Sequence, residues 1–170
     1  AYISHADNVT VRNCTFHGNH TWLKFQNMGT YTVLNNIICE DGSKGEVISG
    51  CPNASYNWYA ANSNEDPLFV DADGGDFHLQ STAGSYHAGA WTADAVDSPC
   101  IDAGFGGVGA EPEPNSTPLH GTNSAKRNLG AYGGTEQASK TPEGRYLWLC
   151  EPLSGETYLD QMVPVDIRWR

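Results

Sequence analysis

Two stretches decide the fold: Asn8-Val9-Thr10-Val11-Arg12-Asn13-Cys14-Thr15-Phe16-His17 and Thr30-Tyr31-Thr32-Val33-Leu34-Asn35-Asn36-Ile37-Ile38-Cys39. Laid over one another at an offset of 22 residues, Val9 falls on Tyr31, Val11 on Val33, Asn13 on Asn35 and Phe16 on Ile38. Each copy reads as two short strands broken by an asparagine. Trp22-Leu23-Lys24-Phe25, between the copies, reads as a third strand. Three short strands and three turns in about 22 residues make one turn of a parallel β-solenoid. One turn cannot bury its own interior. A stack can, because equivalent residues pile up, with Phe16 under Ile38 and Val11 under Val33. Asn13 and Asn35 are expected to be structural for two reasons. Asparagine tolerates the left-handed backbone of a tight turn, and its amide can bond the equivalent asparagine one turn away in a ladder. The alternative is a pair of antiparallel hairpins with Asn turns.

Composition agrees with an all-β chain. Its 170 residues hold one domain, or one plus a piece of another, and include 19 Gly and 9 Pro, with only 17% charged. Lys and Arg number 9 against 20 Asp and Glu, a formal charge of −11. That balance excludes a nucleic-acid-binding module, which needs a basic face, and adsorption to an anionic membrane. No apolar run approaches the ~20 residues that span a bilayer, so no membrane insertion is expected. Cys14, Cys39, Cys51, Cys100 and Cys150 show no CxxC spacing, which argues against a zinc site. Cys14 and Cys100 read as buried thiols, and Cys39–Cys51 is the best disulfide candidate because it closes a short loop.

The repeat is similar to the coils of right-handed parallel β-helix proteins of the pectate-lyase-like fold. Four later motifs strengthen the resemblance: Asp66-Pro67-Leu68-Phe69-Val70-Asp71, Asp76-Phe77-His78-Leu79, Ser98-Pro99-Cys100-Ile101-Asp102-Ala103-Gly104 and Asn128-Leu129-Gly130-Ala131-Tyr132-Gly133-Gly134-Thr135-Glu136. They resemble the tail of secreted bacterial β-helix repeat proteins, over about residues 5 to 140. The resemblance implies the last two to three coils of the helix in residues 1–60, then an extended cap and return segment in 61–140. Leu68, Phe69, Phe77, Leu79, Ile101, Leu129 and Tyr132 are its expected apolar anchors. The polar stretch 104–128, with Glu111-Pro112-Glu113-Pro114, reads as a surface loop. Residues 141–170 read as a linker and the opening strands of a truncated immunoglobulin-like sandwich, so the chain is expected to be part of a longer polypeptide.

The candidate chemistry is sparse. Asp71, Asp73 and Asp76 surround a Gly pair and offer oxygens for calcium, although the spacing fails the EF-hand pattern; a plain Asp/Gly turn is the competing reading. Trp22 and Lys24 share one strand face if Leu23 and Phe25 point inward. In the resembled fold that sheet binds substrate: an indole stacks on a sugar, a lysine pairs with a uronate or acts as the base of a lyase. A lone lysine with an ordinary pKa is a poor base. His17 and His20 have HxxH spacing but no third ligand. The expected function is that of a structural C-terminal end of an extracellular or cell-surface protein that binds or processes polysaccharides. The alternatives are a lyase or glycoside hydrolase with its catalytic residues upstream, and a non-catalytic adhesin or stalk.

Overall fold

The computed structural model describes residues 2–4, 7–18, 23–26, 29–39, 48–49, 53–59, 66–105, 113–114 and 126–142. Among these there are thirteen strands and no helix, so the chain is all-β. None of the described residues forms a helix long and apolar enough to cross a membrane. Trp22, His20, Cys51 and the sandwich-like stretch from residue 143 onward lie outside the described residues.

Nine strands form three small parallel sheets, each built from every third strand. The first joins β1 (Tyr2–Ser4), β4 (Leu23–Gln26) and β7 (Ile48–Ser49). The second joins β2 (Asn8–Arg12), β5 (Thr30–Leu34) and β8 (Asn53–Ser55). The third joins β3 (Thr15–His17), β6 (Ile37–Cys39) and β9 (Trp58–Tyr59). Val9 pairs with Tyr31, Val11 with Val33 and Phe16 with Ile38. The register is the one the repeat implies, and the parallel pairing overturns the antiparallel-hairpin alternative. A third copy, not evident in the sequence, follows at an offset of 21: Val33 pairs with Ala54 and Ile38 with Tyr59.

Alternation along these strands separates two cores. Phe25, Tyr31 and Val33 are buried together, with Val9, Val11, Phe16 and Ala54 packed against them. On β6, however, Ile37, Ile38 and Cys39 are all buried, so both faces of the strand are covered. Ile38 shares its column with Phe16. Ile37 and Cys39 face the other way, into a second cluster with Phe69, Leu79, Cys100, Ile101 and Leu129. Burying Ile37 alone, at 0% exposure, contributes on the order of 2–3 kcal/mol.

The second core places the tail. β10 (Phe69–Asp71) and β11 (Asp76–Leu79) form one antiparallel hairpin, and β12 (Ser85–His87) and β13 (Ala90–Thr92) another. The His17 ring lies against Phe77 (5.3 Å) and Phe69 (6.1 Å), and Trp58 packs against the same cluster. The described tail therefore covers the flank formed by β3, β6 and β9. The reason is in β6: a strand apolar on both faces needs a second layer. Gly130 allows a close approach. Its N–H donates to the Asn35 carbonyl (2.9 Å), and a Cβ there would come within 2.8 Å of Ile37 Cδ1 and Thr15 Oγ1.

The aligned asparagines sit at the corners between strands. Asn13 and Asn35 adopt the left-handed backbone, with φ of 50° and 59°, and Tyr56 takes the same corner in the third copy, with φ 52°. They do not form a ladder with each other. Their side chains hold the tail: Asn13 Nδ2 donates to the Asn128 carbonyl (3.3 Å), and Asn35 Oδ1 accepts from the Phe105 N–H (2.8 Å). The ladder runs one residue later. Asn36 Nδ2 donates to Asn57 Oδ1 (2.9 Å) and to the Val11 carbonyl (3.0 Å), while Asn36 Oδ1 accepts from the Cys14 N–H (2.9 Å). A residue at the left-handed corner points its side chain off the stack, and the next residue turns it back in.

The cysteine expectations also change. Cys39 is a free, buried thiol, so the Cys39–Cys51 bridge is not formed. Cys100 is buried as expected, whereas Cys14 is half-buried.

Candidate functional site

Lys24 lies in β4, in register with Tyr2 on one side and Ser49 on the other. Phe25 beside it is buried.

Asp71 and Asp76 flank the turn between β10 and β11. Asp71 Oδ1 accepts from the Gly74 N–H (2.9 Å), and Gly75 N–H donates to the Ala72 carbonyl (3.2 Å). Asp76 Oδ1 is engaged by His78, through both its main-chain N–H (3.1 Å) and ring Nδ1. Asp73 is exposed. The carboxylates serve the turn and the histidine, and among the described residues no three His, Cys, Asp or Glu side chains are arranged to hold a metal.

A Ser-His-Asp trio does exist, and its geometry is wrong for catalysis. Ser85 Oγ lies 2.6 Å from His87 Nε2 and also donates to Asp94 Oδ2. Asp94 Oδ1 meets that same Nε2 at 3.1 Å. A nucleophilic relay needs the hydroxyl on one ring nitrogen and the carboxylate on the other. Here both crowd one nitrogen, and Ser85 is 0% exposed. Asp94 also accepts from the Ser81 N–H (2.7 Å), so the trio fixes the root of the second hairpin.

Within the stretch expected as a surface loop, of which residues 106–112 and 115–125 lie outside the described residues, Glu113 is buried. Its Oε1 accepts from the Asn128 N–H (2.6 Å) and its Oε2 from the Gly134 N–H, which staples both ends of the Asn128–Gly134 loop. Burial pushes its carboxyl up from 4.5 to about 7, against the opposing pull of these two hydrogen bonds and of Arg127. A carboxyl whose folded pKa is raised binds protons more tightly in the folded state. Its contribution is thus fully present below pH ~4.5 and is lost as pH rises through ~7, a swing on the order of 3 kcal/mol. Thermal melts from pH 4.5 to 8 should therefore show Glu113→Gln with a flatter pH profile than the parent over that window. Parallel profiles would contradict the assignment.

The second hairpin carries a row of rings that the sequence reading missed. Tyr86 and Trp91 pair directly across β12 and β13, with ring centroids 5.5 Å apart and near-perpendicular planes. Behind Tyr86 lies His78 (5.6 Å), which stacks on Tyr132 at 3.5 Å and sets Nε2 3.2 Å from Gln137 Oε1. Lys140 Nζ stands 4.6 Å from the Trp91 ring centroid. The signal that could have found the hairpin was Tyr86-His87-Ala88-Gly89-Ala90-Trp91. Ala88 and Gly89 both have positive φ, as the favoured two-residue hairpin turn requires.

The profile of a family described as disaggregatase related matches residues 17–104, from the last residue of β3 through both tail hairpins to the Gly104 contact with Arg127. No curated protein and no solved structure matches the chain. Since the match takes in more than half of the sequence, including the second copy of the repeat and the first three tail motifs, the chain belongs to the disaggregatase-related family.

Proposed function

We propose that this chain is the C-terminal part of an extracellular right-handed parallel β-helix protein that engages polysaccharides, and that its own role is structural rather than catalytic. The observation that carries the reading is the parallel pairing of every third strand at offsets of 21 to 25 residues, the pattern of successive β-helix coils. The structural role is supported by the titratable clusters, in which Glu113, Asp94 and Asp76 are spent on main-chain donors. The family description refers to a disaggregatase, and dispersal of aggregates suits an extracellular protein with a polymeric target. A lyase or glycoside hydrolase with its main catalytic residues on upstream coils is the second reading. Lys24, central in its three-stranded sheet, favours it.

The test is a polysaccharide panel on the purified chain, with calcium and with chelator, reading binding and new reducing ends together. Binding without new ends is expected. New reducing ends would overturn the structural reading and make Lys24 the first residue to replace. Binding that disappears with chelator would send attention to the Asp71–Asp76 turn. Neither binding nor cleavage would remove the polysaccharide reading for this chain.

A further inference from the structure

We propose that the β12–β13 hairpin carries a sugar-binding subsite of its own, built from Trp91, Tyr86 and the Lys140 ammonium. It takes a pyranose ring that offers an oxygen acceptor beside its apolar face. The proposal rests on the polysaccharide reading above, but places the contact on the tail and not on the sheet that contains Lys24.

Register makes the platform. Tyr86 and Trp91 are directly opposed and so share one face of the hairpin, while Ser85 and His87 turn to the other face to meet Asp94. Trp91 is 38% exposed despite its ring neighbour, and all of β13 is exposed. The platform is braced from behind: Tyr86 leans on His78, which is buried, tied to Asp76 and stacked on Tyr132.

The ammonium is placed with equal care. The Lys140 main chain is tied to the hairpin root on both sides, its N–H donating to the Gly84 carbonyl (2.9 Å) and its carbonyl accepting from Ser81 Oγ (2.6 Å). Its stem crosses Gly84, where a Cβ would lie 3.5 Å from Lys140 Cδ and where φ is +125°, a value that favours glycine. The stem thus brings Nζ to the Trp91 ring. An ammonium has three N–H donors, and a ring contact leaves donors free for a sugar oxygen. The ammonium lies over the indole, and the part of the ring still exposed can take a sugar, whose C–H groups stack there while its oxygens accept from the ammonium. A neutral hydroxyl and a uronate carboxylate share this chemistry. The chain's charge of −11 works against polyanions at long range.

The experiment is affinity electrophoresis of the full chain through gels containing polygalacturonate or its carboxyl-reduced, neutral counterpart. Trp91→Ala, Trp91→Phe and Lys140→Met are run beside the parent, and thermal melts confirm that each variant folds. Retardation of the parent is expected, with affinity about tenfold weaker in Trp91→Ala, largely kept in Trp91→Phe, and weakened several-fold in Lys140→Met. A Lys140→Met loss confined to the charged polymer identifies a carboxylate as the acceptor, and an equal loss in both identifies a hydroxyl. Retardation unchanged in folded Trp91→Ala and Lys140→Met overturns the subsite and leaves the polysaccharide reading standing. No retardation of the parent by either polymer overturns the subsite, and the wider panel then decides the polysaccharide reading separately.

Discussion

Asn128→Ala is expected to lower the stability of the protein by about 2–5 kcal/mol, the largest effect of any single polar replacement in the tail. Asn128 is 1% exposed, and each of its polar groups has a partner. Its Oδ1 accepts from the Asp102 N–H (2.9 Å), and its Nδ2 donates to the Ser139 carbonyl (2.8 Å). Its main-chain N–H donates to Glu113, and its carbonyl accepts from Asn13. Truncation keeps the main-chain bonds but takes an acceptor from Asp102 and a donor from Ser139, in a place water does not reach. Each such loss costs ~1–3 kcal/mol. Asn128→Asp restores the acceptor alone and brings a buried charge near Glu113, so it is expected to be no better than alanine at neutral pH and to improve on acidification. Urea denaturation of the three proteins measures this. A loss for alanine below about 0.5 kcal/mol would place Asn128 among ordinary surface positions.

Asn36→Ala comes second, at about 2–4 kcal/mol. Asn36 is 0% exposed, and its amide ties three neighbours: the Cys14 N–H, the Val11 carbonyl and Asn57 Oδ1. Asn57 repeats the device by donating to the Val33 carbonyl (2.9 Å) and accepting from the Asn36 N–H (3.0 Å). Because the two asparagines share one network, their replacements should not add. A double-mutant cycle on Asn36 and Asn57 is expected to show a coupling of ~0.5–3 kcal/mol, and simple additivity would dissolve the ladder as a unit.

The strand register was legible because the apolar residues Val9, Val11 and Phe16 recur as Tyr31, Val33 and Ile38, and stacking demands that equivalent residues meet. The ladder was misplaced because the aligned pair, Asn13 and Asn35, carried the more visible signal. The ladder position reads Cys14 in the first copy, so its asparagine shows only from Asn36 onward. The third copy was hidden in Asn53-Ala54-Ser55-Tyr56, where small polar strand residues and a tyrosine at the left-handed corner erase the pattern. The tail's anchors were found: Phe69, Leu79, Ile101 and Leu129 are buried, and Leu68, Phe77 and Tyr132 half-buried. Their docking site was not, because the sequence reading counted only one face of β6. Glu113 was missed for a related reason. Its Glu-Pro surroundings mark a surface loop, and nothing local announces that the N–H groups of Asn128 and Gly134 converge on it.

The second core joins the parallel sheets to the tail, and it holds one thiol from each partner, Cys39 from β6 and Cys100 from the tail. Burial pushes both up to about 12. At neutral pH both therefore stay protonated, and the thiolate is the form that reacts. A chain in an oxidising medium would thus keep two silent sulfurs while the seam stays shut. Each opening of the seam exposes both at once, so the chemical age of those sulfurs records how often the tail has left its wall.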